Sequence, residues 1–213
     1  MNWFVDTLGR SIGKKLMMAA TGLCFIGFLV VHLAGNLSVY ISGEAFNAYA
    51  EHLHALGPLL TVAEFGLLAL ACIHVATGLV LFYQNFTARP QRYVVDRRAG
   101  GRTIGSATMP YTGIFILAFV IFHLMNFSFV DKTGTTIFQI VSSAFQHPAY
   151  VLFYTVAMVV VALHVSHGLW SAFQTLGANH PKYMPLIMTA SIALAVIIGV
   201  GFGFLPIYFS FIA

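Results

Sequence analysis

The sequence predicts an all-α membrane protein in which five transmembrane helices form a single domain over residues 1–213. Composition is the first observation: 59% of the residues are hydrophobic and 8% are charged, with a mean hydropathy of +0.88, whereas a soluble domain is typically about 25% charged. The second is a set of apolar runs long enough to cross a hydrocarbon core of about 30 Å. The third is a pair of motifs that occurs twice, which predicts a duplicated helix pair followed by a fifth helix.

Polar loops separate the five apolar runs. The predicted helices span about residues 16–40, 59–86, 109–130, 149–173 and 185–211. Basic residues before the first run resemble the start of a signal peptide. That run is too long for such a segment, however, and it contains a patterned histidine, so it is retained as a helix. In the loop that follows it, residues 44–55 predict a short helix.

Two motifs define the duplication. The first is Thr-Gly, nine further residues and His-Leu, and it occupies residues 21–33 and 112–124. The second is His-x3-Gly-Leu, at residues 74–79 and 164–169. The histidines of the first motif are 91 residues apart and those of the second are 90 apart. An ionisable side chain within a membrane span is costly and usually functional, so these four histidines are the candidate site.

The ten lysines and arginines are divided unevenly between the two sides of the predicted bundle. Nine lie in the N-terminal tail and in the loops after the second and fourth helices, whereas Lys132 alone lies on the opposite side. Because basic loops remain in the cytoplasm, this predicts a cytoplasmic N-terminus and an external C-terminus. Topology therefore explains the net charge of +4. The basic side is predicted to meet cytoplasmic partners or lipid headgroups, and no nucleic acid.

The four repeated histidines fall at two depths. His32 and His123 each lie about 15 residues, or about 22 Å, from the cytoplasmic end of a helix. His74 and His164 lie equally far from the external end of helices that run the other way. The two levels are then about 14 Å apart in a core of about 30 Å. Facing histidines can provide the two axial ligands of a haem, which predicts an outer haem at His32 and His123 and an inner haem at His74 and His164.

Glycine follows each inner histidine by about one turn, at Gly78 and Gly168. A glycine on the ligand's face leaves room for the macrocycle. Zinc is less suitable, because two histidines per level lack the other ligands of a tetrahedral site. One ambiguity remains at His167, three residues after His164. The match to the first half favours His164 as the ligand, and His167 could instead contact a haem propionate or the cytoplasmic partner.

With these motifs, the chain resembles the five-helix, dihaem cytochrome b subunit that anchors bacterial succinate:quinone oxidoreductases, either succinate dehydrogenase or fumarate reductase. The resemblance covers nearly the whole chain, and the histidine set is its specific part. The other matching stretches are Ser11-Ile12-Gly13-Lys14-Lys15, His32-Leu33 with Gly35-Asn36, Gly43-Glu44-Ala45-Phe46-Asn47, and His164-x3-Gly168-Leu169-Trp170-Ser171.

The resemblance implies a respiratory function in the bacterial cytoplasmic membrane. The subunit would anchor a flavoprotein and an iron–sulfur subunit on the cytoplasmic side. It would carry electrons through two haems b between the iron–sulfur clusters and a quinone, commonly menaquinone, near the outer haem. Succinate would bind to the flavoprotein and not to this chain. The direction of the reaction, the quinone type and the oligomeric state of the complex, a dimer included, stay open.

Quinone chemistry needs proton donors and acceptors. Glu64 is the only carboxylate within a predicted span and is therefore the candidate for protonating the quinone. Glu44 and Glu51 in the external loop are the alternatives. Some members of the family carry an acid two residues before the ligand of the fourth helix, as a proton route. This chain has Ala162 there, so that route is not predicted.

Haem propionates at the inner level are expected near cationic or hydroxyl groups. The candidates precede or begin the first helix and are Arg10, Ser11, Lys14 and Lys15.

Three other functions compete with this interpretation. A proton-coupled transporter would use the histidines as a proton relay, but the first four helices lack the paired acids and broken segments of such proteins. Cytochromes with both ligands on one helix need two histidines 13–14 residues apart, which no predicted helix has. A purely structural anchor would bind no haem.

Overall fold

The computed structural model describes residues 3–88 and 103–212, and over these ranges it contains α-helices, a short 3-10 helix and no strand. The all-α prediction is confirmed for this part of the chain. The five arginines of the predicted loop 87–106 lie outside the described residues. The α-helices are α1 (Trp3–Gly9), α2 (Ser11–Asn36), α3 (Gly43–His54), α4 (Pro58–Thr87), α5 (Ile104–Phe127), α6 (Ile137–Phe145), α7 (Pro148–Thr175) and α8 (Met184–Ile212).

Five helices are long and apolar enough to cross a membrane: α2 with the 3-10 turn that extends it to Tyr40, α4, α5, α7 and α8. The prediction of five spans is therefore confirmed by length and composition. Helix ends differ from the predicted ones by up to five residues, because an apolar run marks the part inside the membrane and not the end of the helix. Thus α5 begins at Ile104, where the Thr103 hydroxyl accepts a hydrogen bond from the N–H of Ser106.

The duplicated unit contains three helices, one more than predicted. Each half has a long helix, a short helix and a second long helix, in the order α2–α3–α4 and then α5–α6–α7. The predicted helix at 44–55 is α3, whereas α6 and α1 were not predicted. Thr136 and Gln139 form a capping box that starts α6. Six of the nine residues of α6 are hydrophobic, and over so short a run the period alone does not distinguish a helix from a strand.

The short helices α3 and α6 pack together at one end of the bundle. The backbone N–H of Phe138 in α6 donates to the Asn47 side-chain oxygen at 2.9 Å. Phe46 and Phe145 from these helices are buried against Phe209 near the end of α8. We call this the upper end of the bundle, and the end that holds α1 is the lower end. Aromatic packing closes the upper end over the helices below it.

The fifth long helix, α8, packs closely along α7 through small residues. Ser191 and Ala195 are buried, and a Cβ placed on Gly199 would lie only 2.8 Å from the Cβ of Ala162. Small residues let transmembrane helices approach closely. Ala162, two residues before His164, therefore lies at this close contact between α7 and α8. A longer side chain there would push α7 and α8 apart.

Candidate functional site

His32 on α2 and His123 on α5 lie side by side in the bundle and form what we call the upper pair. Their ring centroids are 6.1 Å apart and their planes cross at 85°. A histidine nitrogen binds a metal at about 2.0–2.1 Å, so two imidazoles on opposite sides of one ion have centroids about 6 Å apart. The separation of the upper pair therefore fits a shared metal centre, and it brings together the two histidines of the first repeated motif.

Aromatic side chains surround the upper pair. Phe28 stacks on His32 with a centroid distance of 5.3 Å, and Phe202 of α8 lies 5.4 Å from the same ring. Phe119, Phe127 and Tyr154 surround His123. The Nδ1 atom of His123 is buried and has no hydrogen-bond partner within the described chain. Such an atom is unusual in a folded protein. The described chain alone therefore does not satisfy the polar atoms of the His123 ring.

His74 on α4 and His164 on α7 form the lower pair, and each contacts a threonine on a neighbouring helix. His74 Nδ1 lies 2.9 Å from the Thr21 hydroxyl of α2. His164 Nδ1 lies 3.0 Å from the Thr112 hydroxyl of α5. These threonines begin the two copies of the first motif. The two halves of the duplication therefore hold their second histidine in the same way.

Glycine follows each of these threonines and lies beside the same imidazole. A Cβ on Gly22 would be 3.4 Å from the Cε1 atom of His74, and one on Gly113 would be 3.5 Å from Cε1 of His164. The backbone of α2 or α5 thus passes directly alongside each ring. A Cβ at either position would already be in van der Waals contact with the imidazole.

The two pairs lie at two distinct depths. Thr21 precedes His32 by eleven residues on α2, and Thr112 precedes His123 by eleven on α5, which is about 16 Å along a helix axis. His32 contacts His123, so these two helices are aligned in depth. Their threonines, and the histidines bonded to them, therefore share a second level about 16 Å lower. The prediction from span lengths was about 14 Å.

His167 points away from this arrangement. Its Nδ1 is 3.5 Å from the Thr103 hydroxyl, at the long limit for a hydrogen bond, and its ring meets Trp170 edge-on at 4.8 Å. A Cβ on Gly105 would lie 2.7 Å from the His167 Cβ. His167 thus packs against the start of α5. His164, and not His167, makes the threonine contact that corresponds to that of His74, and its role as a ligand stays a prediction.

The two glycines predicted to clear space for a macrocycle have different surroundings. A Cβ on Gly168 would have no atom within 4 Å. A Cβ on Gly78 would approach the end of the flexible Met18 side chain at 3.2 Å. Both positions accordingly border either open space or a side chain that can move.

A cavity at the lower end gathers the predicted cationic residues. Its volume is about 660 Å³, and it lies between the start of α2 and the end of α4. The Lys14 ammonium group donates to the Gln84 side-chain oxygen at 3.2 Å. The polar and charged residues that line the cavity are Arg10, Ser11, Lys14, Lys15, Gln84 and Asn85. This cluster suits an anionic group.

The candidate acids lie towards the upper end. Glu64 is exposed on the outside of α4, ten residues before His74, which is about 15 Å nearer the upper end. Glu64 therefore lies close to the depth of the upper pair.

Glu44 is fully exposed at the first turn of α3. Hydrogen bonds from its own backbone N–H and from the Ser42 hydroxyl lower the pKa of Glu44. A carboxyl with a lowered pKa is a poorer proton donor.

Within the described residues, no three His, Cys, Asp or Glu side chains converge on one point. The site consists of histidine pairs, which suits the two axial positions of a haem better than a tetrahedral zinc centre.

Two features of the site were not predicted from the sequence: the threonine partners of the lower pair and the aromatic side chains around the upper pair. The repeated Thr-Gly was visible as a motif, but its contact is with a histidine 52 or 53 residues away.

Comparison with curated proteins finds a succinate dehydrogenase cytochrome b558 subunit from Bacillus subtilis (strain 168). It is 29% identical over 151 residues, and the match covers 70% of this chain and 72% of that protein. No family model matches, and no solved structure matches. The curated match confirms the predicted resemblance to the cytochrome b subunit of succinate dehydrogenase. With five apolar helices, the chain is a multi-pass membrane protein similar to that subunit.

Proposed function

We propose that this chain is the cytochrome b membrane anchor of a succinate:quinone oxidoreductase, and that it binds two haems b. The observation that carries the proposal is the arrangement of four histidines as two pairs at two depths. The upper pair has a centroid separation of 6.1 Å, and the lower pair is held by matching threonine contacts. The similarity to a succinate dehydrogenase cytochrome b558 subunit supports the same function.

The helices of the bundle divide the ligands between them. α2 and α5 provide His32 and His123 for the outer haem, and α4 and α7 provide His74 and His164 for the inner haem. When bound, the haems supply one-electron carriers at the two levels. The chain holds the imidazoles in place, keeps water away from the upper pair with aromatic side chains, and leaves the space beside Gly168 open.

The lower end of the bundle is proposed to face the cytoplasm and the partner subunits. Among the described residues, it holds Arg10, Lys14, Lys15 and Lys182, whereas Lys132 is the only lysine or arginine at the upper end. A flavoprotein and an iron–sulfur subunit would dock there, beside the inner haem. Ser11 and Lys14 line the cavity at this end and are proposed to bind the propionates of that haem.

The quinone is proposed to react near the outer haem, with Glu64 as the group that exchanges its proton. Glu64 lies at the depth of the upper pair and is exposed on the membrane-facing side of α4, where a lipid-soluble quinone such as menaquinone can reach it. Glu64→Gln is expected to lower quinone reduction by succinate by about 100-fold and to leave the haem content unchanged. Glu51→Gln on α3 tests the other candidate acid, and Asp131→Asn, an exposed carboxylate in the loop after α5, is the matched control. Unchanged activity in Glu64→Gln, with loss in Glu44→Gln, would assign the proton to Glu44.

The proposed function is tested by purifying the tagged chain from its native membrane. We expect it to bring with it a flavin-containing subunit and an iron–sulfur subunit, and we expect succinate to reduce its haem. Malonate, a competitive dicarboxylate, should block that reduction. A chain that purifies without these subunits, or with haem that succinate fails to reduce, would contradict the proposal.

A further inference from the structure

We propose that Thr21 and Thr112 are positioning residues for the inner haem. They fix the proton of His74 and His164 on Nδ1 and leave Nε2 of each ring free to bind iron. This inference rests on the proposed haem function. It gives a role to two hydroxyl groups that belong to the repeated motif but whose function the sequence did not reveal. It follows from counting hydrogen-bond donors and acceptors around the two threonines.

The Thr21 hydroxyl has one hydrogen to donate. It donates this hydrogen to the backbone carbonyl of Met17, at 2.8 Å, within its own helix. Towards His74 Nδ1, which is 2.9 Å away, the hydroxyl oxygen can then only accept. We therefore assign the hydrogen of that bond to the imidazole, on Nδ1, and the Met18 carbonyl, which can only accept, is a further hydrogen-bond partner of the His74 ring. In a neutral imidazole the other nitrogen, Nε2, then has a free lone pair.

The second half of the duplication repeats this arrangement with different residues around it. The Thr112 hydroxyl donates to the backbone carbonyls of Thr108 and Met109, at 3.0 and 3.1 Å. It therefore accepts from His164 Nδ1 at 3.0 Å. Each threonine lies on a helix adjacent to that of its histidine, so the bond also fixes the rotation of the ring. A metal-binding histidine commonly donates its other N–H to such a partner.

The contacts explain why Thr-Gly and His-Leu occur in one motif. On α2, Thr21 serves the lower level and His32 serves the upper level, eleven residues apart. On α5, Thr112 and His123 divide the two levels in the same way. One helix in each half therefore contributes a ligand to one haem and a positioning residue to the other.

The upper pair is held differently. His123 Nδ1 has no hydrogen-bond partner within the described chain, and both rings are fixed by aromatic packing. Replacing the two threonines should consequently change the inner haem alone. This restriction to one haem separates a positioning role from general damage to the bundle.

The test uses the intact complex and valine variants, which keep the shape of threonine but remove the hydroxyl. In Thr21→Val, Thr112→Val and the double variant, we expect the midpoint potential of the inner haem to rise. The reason is that an imidazole without its hydrogen-bond acceptor is less basic and stabilises ferric iron less well. We also expect the double variant to lose the inner haem about 10-fold more readily. The outer haem should keep its potential and its electron paramagnetic resonance signal.

Two comparisons make the test specific. Thr21→Ser and Thr112→Ser keep the hydroxyl and should restore the wild-type potential. Thr77→Val is the matched control, because Thr77 is equally buried on α4 but its hydroxyl bonds only to backbone carbonyls of its own helix. It should leave both haems unchanged.

The outcomes distinguish this inference from the function on which it rests. A wild-type complex without haem would overturn the proposed function. Two haems in the wild type, with unchanged inner-haem potential, signal and retention in the double valine variant, would overturn the inference alone. An equal shift in Thr77→Val would also overturn it, because the effect would then come from repacking of the helices.

Discussion

Replacing His74 or His164 by alanine is expected to remove the inner haem and to lower electron transfer from succinate to quinone by more than about 100-fold. Loss of an axial ligand should exceed the 10–100-fold effect that is typical of losing a ligand's hydrogen-bond partner. Succinate oxidation with an artificial acceptor that accepts electrons from the flavoprotein should continue. Absorption spectra and the two activities, measured on the same membranes, check this prediction.

The inner-haem variants need a control for assembly, because a bundle that lacks a cofactor can fail to bind its partners. His167→Ala serves this purpose, since His167 is only three residues from His164 but packs against Thr103 and Gly105. It should keep both haems. His164→Met adds a second check, because methionine can act as an axial ligand and raises the potential. If His167→Ala lost the inner haem and His164→Ala retained it, the assignment would be reversed.

Replacing His32 or His123 by alanine is expected to remove the outer haem, and either variant should lose the same one. The rings are 6.1 Å apart and serve one centre in this account. The double variant should therefore be no worse than either single variant, since residues that act as a unit are not additive. Quinone reduction should fall while the inner haem is still reduced by succinate. Haem content and the spectrum of each variant measure this outcome.

Two exposed histidines offer matched controls for the outer pair. His52 and His54 lie on α3, and each bonds through Nδ1 to a backbone carbonyl of its own helix. His52→Ala and His54→Ala should keep both haems and full activity. If His32→Ala and His123→Ala removed different haems, the pairing by depth would be wrong.

The sequence predicted the architecture because the physical constraint is simple. A bilayer requires long apolar helices, and five such runs are visible without a structure. The interval of about 90 residues also predicted which histidines are equivalent. The short helix α3 was predicted within the first loop, whereas α6 was missed, because a mostly apolar run of nine residues does not by itself distinguish a helix from a strand.

The contacts between side chains in the site were harder to predict from the sequence than the helices. Thr21 and His74 are 53 residues apart on different helices, and only the packing of α2 on α4 brings them together. The aromatic surround of His123 draws side chains from α5 and α7. Phenylalanine and tyrosine are frequent along the whole chain, so their pattern did not mark the residues that surround a histidine. Propensity and period describe one helix at a time and do not describe how helices pair.

The central claim is that the four paired histidines bind two haems, and the most direct test is the haem content of the purified complex. A dithionite-reduced minus air-oxidised spectrum, with haem b quantified per chain, should give two haems of distinct potential per copy of this subunit. One haem per chain would contradict the two-level account. No haem would leave the histidines as proton carriers or helix contacts, and a proton-coupled transporter would then be the better description of this protein.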